Sequence, residues 1–154
     1  MTRSTDLMGV ILAAGKGTRM LPFSTHFPKP ILPVLGKPLL VYQIEMLKEL
    51  GIQDVVVVIG HLGHEVVASL GDGSKFGVRI QYVEQEETLG IAHAVSRLEQ
   101  LVDRPFFLFL GDIFFEFHDG QDLRSMVERF QSDRDVSGVL AVRQEPDLEA
   151  IKRN

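Results

Sequence analysis

Residues 10–35, VILAAGKGTRMLPFSTHFPKPILPVL, form the stretch that decides the fold. The stretch begins as an apolar run, breaks at Ala13-Ala14-Gly15, and then carries the cations Arg19 and Lys29. Backbone N–H groups can approach a phosphate only where side chains are small, and arginine or lysine supplies the positive charge. The stretch therefore predicts a buried strand followed by a loop that suits a phosphate-bearing ligand.

Two common phosphate-binding motifs do not match this stretch. The dinucleotide-binding pattern requires a third glycine where Met20 stands, which disfavours an oxidoreductase domain. The P-loop requires serine or threonine after Gly-Lys, whereas a glycine follows Lys16. What remains is Gly-x-Gly-Thr-Arg at residues 15–19, then Pro22, then Pro28-Lys29.

The composition excludes several classes of protein. The chain has 154 residues, 45% of them hydrophobic, and a net charge of −5, which argues against general binding to nucleic acid or to a membrane surface. It has no cysteine, and it has no apolar run of the length that a membrane span needs. His61 and His64 have no third ligand nearby except Asp72, so a loop or helix-surface role is favoured over a metal pair. A cytoplasmic protein is expected.

Alternating apolar runs and helical patterns predict the architecture. Strands are predicted at residues 8–13, 55–59, 78–83, 106–110 and 136–142, and helices at residues 39–50, 61–70, about 90–101 and 122–131. The prolines of residues 15–38 predict a long loop, and Pro38 suits a first helical position. The alternation predicts a single α/β domain over residues 1–154, with a Rossmann-like, mostly parallel sheet and helices on both faces.

Three polar or small residues follow predicted strands and are expected on one edge of the sheet. Gly15, Gln85 and Asp112 each come directly after an apolar or alternating run. Ligands of parallel sheets bind beyond the carboxyl ends of the strands. Asp112 is a natural Mg²⁺ ligand there because Mg²⁺ prefers oxygen, although aspartate is also a common turn residue.

These motifs together resemble the sugar-1-phosphate nucleotidylyltransferases, from residue 8 to about residue 142. The resemblance implies a fold of the nucleotide-diphospho-sugar transferase type. It also implies transfer of a nucleotidyl group from a nucleoside triphosphate, with dTTP or UTP favoured, to a sugar 1-phosphate, with glucose 1-phosphate favoured. The implied nucleotide-binding residues are Leu12, Ala13, Ala14, Gly15, Gly17, Thr18, Arg19, Gln85 and Gly90.

The resemblance also implies roles for individual residues and for a metal. Arg19 would stabilise charge on the reacting phosphates, Lys29 would bind the sugar phosphate, and Asp112 would hold Mg²⁺. Gln85 would read a pyrimidine, since an amide donates and accepts at once, and Gly90 would let the base lie close. Taken singly, Arg19 and Lys29 also fit a surface ion pair and a solvated loop.

Some features depart from the family's pattern. Ser24 and Ile113 stand where threonine and asparagine are common in the family, and Pro30 stands where many short thymidylyltransferases have glutamine. Family members also continue well past this length, into a part that supplies most sugar contacts and a second metal-binding aspartate. A truncated fold is therefore expected, with impaired activity and with uncovered sheet surface that favours a homo-oligomer. The alternative is a non-catalytic nucleotide-binding or regulatory domain.

Overall fold

The structure, a computed structural model, describes residues 6–15, 27–85, 90–115 and 122–142. The chain divides into two compact units, Met1–Phe115 and Glu116–Asn154. The first unit contains β1 (Met8–Leu12), β2 (Pro33–Val34), β3 (Lys37–Pro38), α1 (Leu39–Glu49), β4 (Asp54–Ile59), α2 (Gly63–Leu70), β5 (Arg79–Glu84), α3 (Ile91–Ser96) and β6 (Phe106–Leu110). The second unit contains α4 (Asp122–Ser132). The expectation of one domain over residues 1–154 stays a prediction.

Four parallel strands form the main sheet of the described residues, in the order β5-β4-β1-β6. β1 lies between β4 and β6, with Val10 opposite both Val56 and Leu108. The strand order reverses at β1, because the next two strands of this sheet, β4 and β5, lie on one side of it and β6 lies on the other. The carboxyl edge beside such a reversal is where open α/β sheets bind ligands.

Both faces of the sheet are covered, which confirms the predicted α/β architecture. On one face Gly9 lies under Leu47 of α1, since a Cβ at Gly9 would come within 2.6 Å of that side chain. On the other face Val10 and Val56 belong to a buried cluster with Leu98, which follows α3. The side chains of a strand alternate between faces, so β1 contributes to both layers of the core.

α1 is bounded by residues that suit its two ends. Gly51 follows the C-cap residue Leu50, has a φ of 81°, and its N–H donates to the carbonyl of Lys48, which is a common way for a helix to end. Pro38, predicted at the first helical position, is instead the N-cap, with an extended ψ of 139°. The difference arises because Pro38 pairs with Pro33 in the β2–β3 hairpin.

The described end of the predicted loop, residues 27–38, contains short regular elements. A short 3₁₀ helix runs over Lys29–Ile31, and the two-residue turn of the β2–β3 hairpin follows it. In that turn Leu35 and Gly36 both have positive φ, as two-residue hairpin turns require. Residues 16–26 lie outside the described part of the chain.

Two sequence predictions of secondary structure are corrected. The helix predicted from about residue 90 to residue 101 begins as expected but ends earlier, because after α3 the chain forms consecutive turns that bury Leu98. The strand predicted at residues 136–142 is absent from the described residues. Leu140 and Val142 are almost fully exposed there, and a strand needs a neighbouring backbone to complete its hydrogen bonds. Among the described residues, no helix is long and apolar enough to span a bilayer.

Candidate functional site

The carboxyl edge of β1 and β6 is built from closely spaced backbones. The N–H of Gly111 donates to the carbonyl of Leu12 over 2.8 Å, joining the ends of the two strands. A Cβ at Gly111 would lie 2.9 Å from that oxygen, and one at Gly60 would lie 2.8 Å from the carbonyl oxygen of Ala14. Glycine at both positions therefore lets the chain after β1 pass between its neighbours.

We expect Gly111→Ala to destabilise the fold by about 1–3 kcal/mol, because the added methyl group meets backbone that cannot move freely. Gly15→Ala is the matched control, since nothing lies within 4 Å of a Cβ at Gly15. Urea unfolding of both variants measures the difference. Equal midpoints for Gly111→Ala and the parent chain would contradict the close packing.

The predicted phosphate loop begins at this edge. Leu12 is the last residue of β1, Ala13 and Ala14 are buried, and Gly15 is exposed with open space around it. The N–H of Ala13 donates to the carbonyl of Val58 over 2.8 Å, which fixes where the loop leaves the sheet. The rest of the predicted loop, Gly17, Thr18 and Arg19, lies outside the described residues, so the roles proposed for these residues stay predictions.

Two of the predicted catalytic residues meet at the same edge. Nζ of Lys29 lies 3.1 Å from Oδ2 of Asp112, although the residues are 83 positions apart in sequence. Lys29 opens the short 3₁₀ helix that follows the phosphate loop, and Asp112 follows β6. The fold thus places a cation and a carboxylate together beside the point where β1 ends.

The Asp112 carboxylate fits a metal that is shared with a substrate. Its side chain is 53% exposed, so one oxygen can pair with Lys29 while the other faces solvent or a ligand. The described residues contain no group of three or more histidines and carboxylates that could enclose a metal. Mg²⁺ is commonly held by one or two carboxylates together with substrate phosphates and water. The described residues therefore suit such a shared Mg²⁺ better than a closed metal centre.

Gln85 directly follows β5, and Gly90 is the N-cap of α3. Gln85 is buried, its N–H donates to the carbonyl of Ile59, and its Nε2 lies 3.1 Å from Nδ1 of His93. An amide nitrogen can only donate, so Nδ1 accepts this contact and His93 fixes the rotation of the amide. Gly90 has a φ of 97° and a ψ of 177°, a conformation that favours glycine.

The sequence reasoning missed Gln43, the one polar residue on the buried face of α1. Its side chain is 1% exposed, and Nε2 donates to the carbonyls of Leu110 and Ile113, each over 2.9 Å. These carbonyls lie on either side of Gly111-Asp112. The available signal was a glutamine at the helical spacing of the apolar face, between Leu40 and Leu47.

Two groups with shifted pKa values stabilise the turn at residues 71–77: Asp72 lies in the turn, and Tyr82 contacts it from β5. Hydrogen bonds from the Ser74 side chain and backbone lower the pKa of the Asp72 carboxyl. Burial, and then the charge of Asp72, raise the pKa of Tyr82 to about 12. The Tyr82 hydroxyl donates to the carbonyl of Gly71, so both groups stabilise this connection.

A cavity of about 280 Å³ lies at the opposite, amino edge of the sheet. Its polar wall is an ion-pair network in which Asp54 contacts Arg79 over 2.6 Å and Arg104 over 2.7 Å. Arg104 also lies 3.6 Å from a carboxylate oxygen of Asp6 and 3.9 Å from one of Asp103, so carboxylates offset the charge of both guanidinium groups. Parallel sheets bind ligands at the other edge, so the network is best interpreted as structural.

Comparison with known proteins identifies the family. The family model for nucleotidyl transferases matches residues 8–149, nearly the whole chain. The chain belongs to the nucleotidyl transferase family. The predicted resemblance is thereby confirmed at the level of the family, and the matched region contains every residue assigned above to the site.

Relatives and solved structures agree with the family assignment. The chain is 38% identical over 135 residues to the low-salt glycan biosynthesis nucleotidyltransferase Agl11 of Haloferax volcanii, covering 86% of this chain and 37% of that protein. It is 41% identical over 110 residues to the glucose-1-phosphate thymidylyltransferase of Streptomyces griseus, covering 70% and 31%. A structure of UDP-glucose pyrophosphorylase complexed with UDP-glucose superposes with a TM-score of 0.70 at 26% identity, covering 82% and 55%.

The chain spans only part of each of these proteins, from about a third to about half of their length. The shared part contains the parallel sheet with its covering helices, and the fold expected from the resemblance is confirmed. The activities of the longer relatives are therefore applied to this chain only as a proposal.

Proposed function

We propose that this chain contributes the nucleotide-binding part of a sugar-1-phosphate nucleotidylyltransferase. The reaction transfers a nucleotidyl group from dTTP or UTP to a sugar 1-phosphate, with glucose 1-phosphate favoured, and releases pyrophosphate. The relatives support this choice, since one is a glucose-1-phosphate thymidylyltransferase and one solved structure is a UDP-glucose pyrophosphorylase. A cytoplasmic location and a homo-oligomer remain predictions.

The observation that carries the proposal is the pairing of Lys29 with Asp112 at the end of β1. Joining a sugar phosphate to a triphosphate brings two polyanions together, so positive charge is needed where they meet. Lys29 supplies it directly, and Asp112 would supply it by holding Mg²⁺. When bound, Mg²⁺ would offset the negative charge of the phosphates. The ion pair would hold both side chains at the edge of the sheet until a bound ligand replaces it with contacts of its own.

The order of strands supports a direction for the nucleotide. Gln85 follows β5 and Asp112 follows β6, so three strand spacings separate them, roughly 14 Å. The base, ribose and phosphates of one nucleotide can cover such a span. The base would lie near Gln85 and Gly90, and the phosphates would lie along Ala13–Gly15 towards Asp112. Arg19, from the same loop, would stabilise charge on the reacting phosphates.

The alternative is a non-catalytic nucleotide-binding or regulatory domain of the same fold. Product analysis separates the two functions. Formation of dTDP-sugar or UDP-sugar from the triphosphate and glucose 1-phosphate, by the protein in its longest natural form, supports transfer. Nucleotide binding without product in that form would support the alternative.

We expect dTTP and UTP to bind more tightly than ATP, because the Gln85 amide can both donate to and accept from a pyrimidine edge. Gln85→Leu should reduce this preference by about tenfold, the effect of one lost hydrogen-bonded contact. Gln81→Leu is the matched control, because Gln81 is an exposed glutamine on β5 itself. Calorimetric titration with the three nucleotides measures the preference. Equal affinities in the parent chain would rule out this role of Gln85.

A further inference from the structure

Residues 110–113 form a turn whose two ends are joined by one side chain of α1. The N–H of Ile113 donates to the carbonyl of Leu110 over 3.2 Å, which leaves Gly111 and Asp112 as the central residues. Both hydrogens of the Gln43 amide are used in the same turn, one on the Leu110 carbonyl and one on the Ile113 carbonyl. The Gln43 amide therefore fixes the ends of the turn that presents Asp112.

The orientation of this amide is determined by its surroundings. If Nε2 and Oε1 were exchanged, an acceptor would face two carbonyl oxygens and both bonds would be lost. As placed, Oε1 is buried and has no hydrogen-bond partner among the described residues. A leucine or methionine would fill the same volume without burying an unpaired acceptor. The two hydrogen bonds to the turn, rather than packing of the core alone, therefore account for a glutamine at this position.

We propose that Gln43 is a positioning residue for the Asp112 carboxylate, acting through the backbone of the turn. The proposal rests on the proposed function, in which Asp112 binds Mg²⁺ together with the nucleotide. A second contact of α1 supports the same segment, since the ring of Tyr42 packs edge-on against Phe114 at 5.2 Å. Tyr42 restrains the chain after the turn, whereas Gln43 restrains the turn itself. Substitution of a residue that orients a metal ligand commonly weakens metal binding by about 10–100-fold.

The test compares Mg²⁺ dependence of UTP binding in the 154-residue chain and in Gln43→Met. Ile44→Val is the matched control, because Ile44 is the next residue of α1 and is fully buried, but no bond joins it to the turn. Calorimetry gives the UTP affinity without metal and the Mg²⁺ concentration at half-maximal binding. We expect Gln43→Met to raise that concentration about tenfold. Its metal-free affinity for UTP and the behaviour of Ile44→Val should match the parent.

Other outcomes separate this proposal from the proposed function. A parent chain that binds UTP with no dependence on Mg²⁺ would overturn the metal role and, with it, the role of Gln43. A Mg²⁺-dependent parent with an unchanged Gln43→Met would overturn the positioning role alone, as would an equal shift in Ile44→Val. If Gln43→Met does not fold, the NMR signals of the Gln43 side-chain NH₂ group in the parent chain test the positioning role instead. They should move when Mg²⁺ is added to the UTP complex, and fixed resonances would overturn the proposal.

Discussion

Asp112→Asn should raise the Mg²⁺ concentration required for nucleotide binding by at least about a hundredfold. Substitution of a residue that only orients a metal ligand already weakens metal binding by about 10–100-fold. The substitution keeps the shape of the side chain and removes its charge. In the absence of metal, we expect the substitution not to weaken nucleotide binding. The neutral amide of this variant pairs less strongly with Lys29, so the ammonium is free to attract phosphates and metal-free affinity should stay equal or rise.

Titration of Mg²⁺ at several UTP concentrations measures both effects in one experiment. Asp103→Asn is the matched control, because Asp103 is an exposed carboxylate that lines the cavity at the amino edge of the sheet. Its Mg²⁺ curve should coincide with that of the parent chain. Coincident curves for Asp112→Asn and the parent would assign Asp112 to the turn alone and remove it from the metal site.

The second large effect concerns catalysis. The 154-residue chain alone should show little or no nucleotidyl transfer, because it spans only 37% and 31% of the two relatives compared above. Transfer requires the sugar phosphate to lie in line with the α-phosphate, and a displacement of about 1 Å can cost roughly a hundredfold in rate. Lys29 can attract the sugar's phosphate, but a single ammonium group does not orient a sugar ring.

Pyrophosphate release from dTTP and UTP, with glucose 1-phosphate and Mg²⁺, measures this rate. The full-length Streptomyces griseus thymidylyltransferase is the positive control, and nucleotide binding by the 154-residue chain is measured in the same preparation. Binding without turnover is the expected result. Turnover at about 1–100 per second, which is ordinary for enzymes, would show that the described sheet and its loops suffice for catalysis.

The central strands were predictable because their signals are local. β6 matches its predicted bounds, and β1 and β4 differ by one residue, since each is a continuous apolar run that ends at small residues. Their placement beside one another followed from the alternation with helices. Gly15, Gln85 and Asp112 could then be assigned to one edge of the sheet before any distance was known.

What escaped prediction depends on contacts between distant segments. The ion pair of Lys29 with Asp112 joins residues 83 positions apart, and the bonds of Gln43 to the Asp112 turn span 67 and 70 positions. The periodicity of a single sequence does not indicate which distant residues will be in contact. The strand predicted at residues 136–142 failed for the same reason, because β-branched residues favour a strand only where a neighbouring backbone is available.

The central claim is that the nucleotide binds at the carboxyl edge of β1 and β6. Hydrogen exchange of the 154-residue chain, with and without UTP and Mg²⁺, tests this claim most directly. The account predicts new protection of backbone amides in residues 13–15 and around Gln85 and Asp112. Protection confined to the cavity lined by Asp54, Arg79 and Arg104, or no change at the carboxyl edge in the presence of saturating UTP, would contradict it.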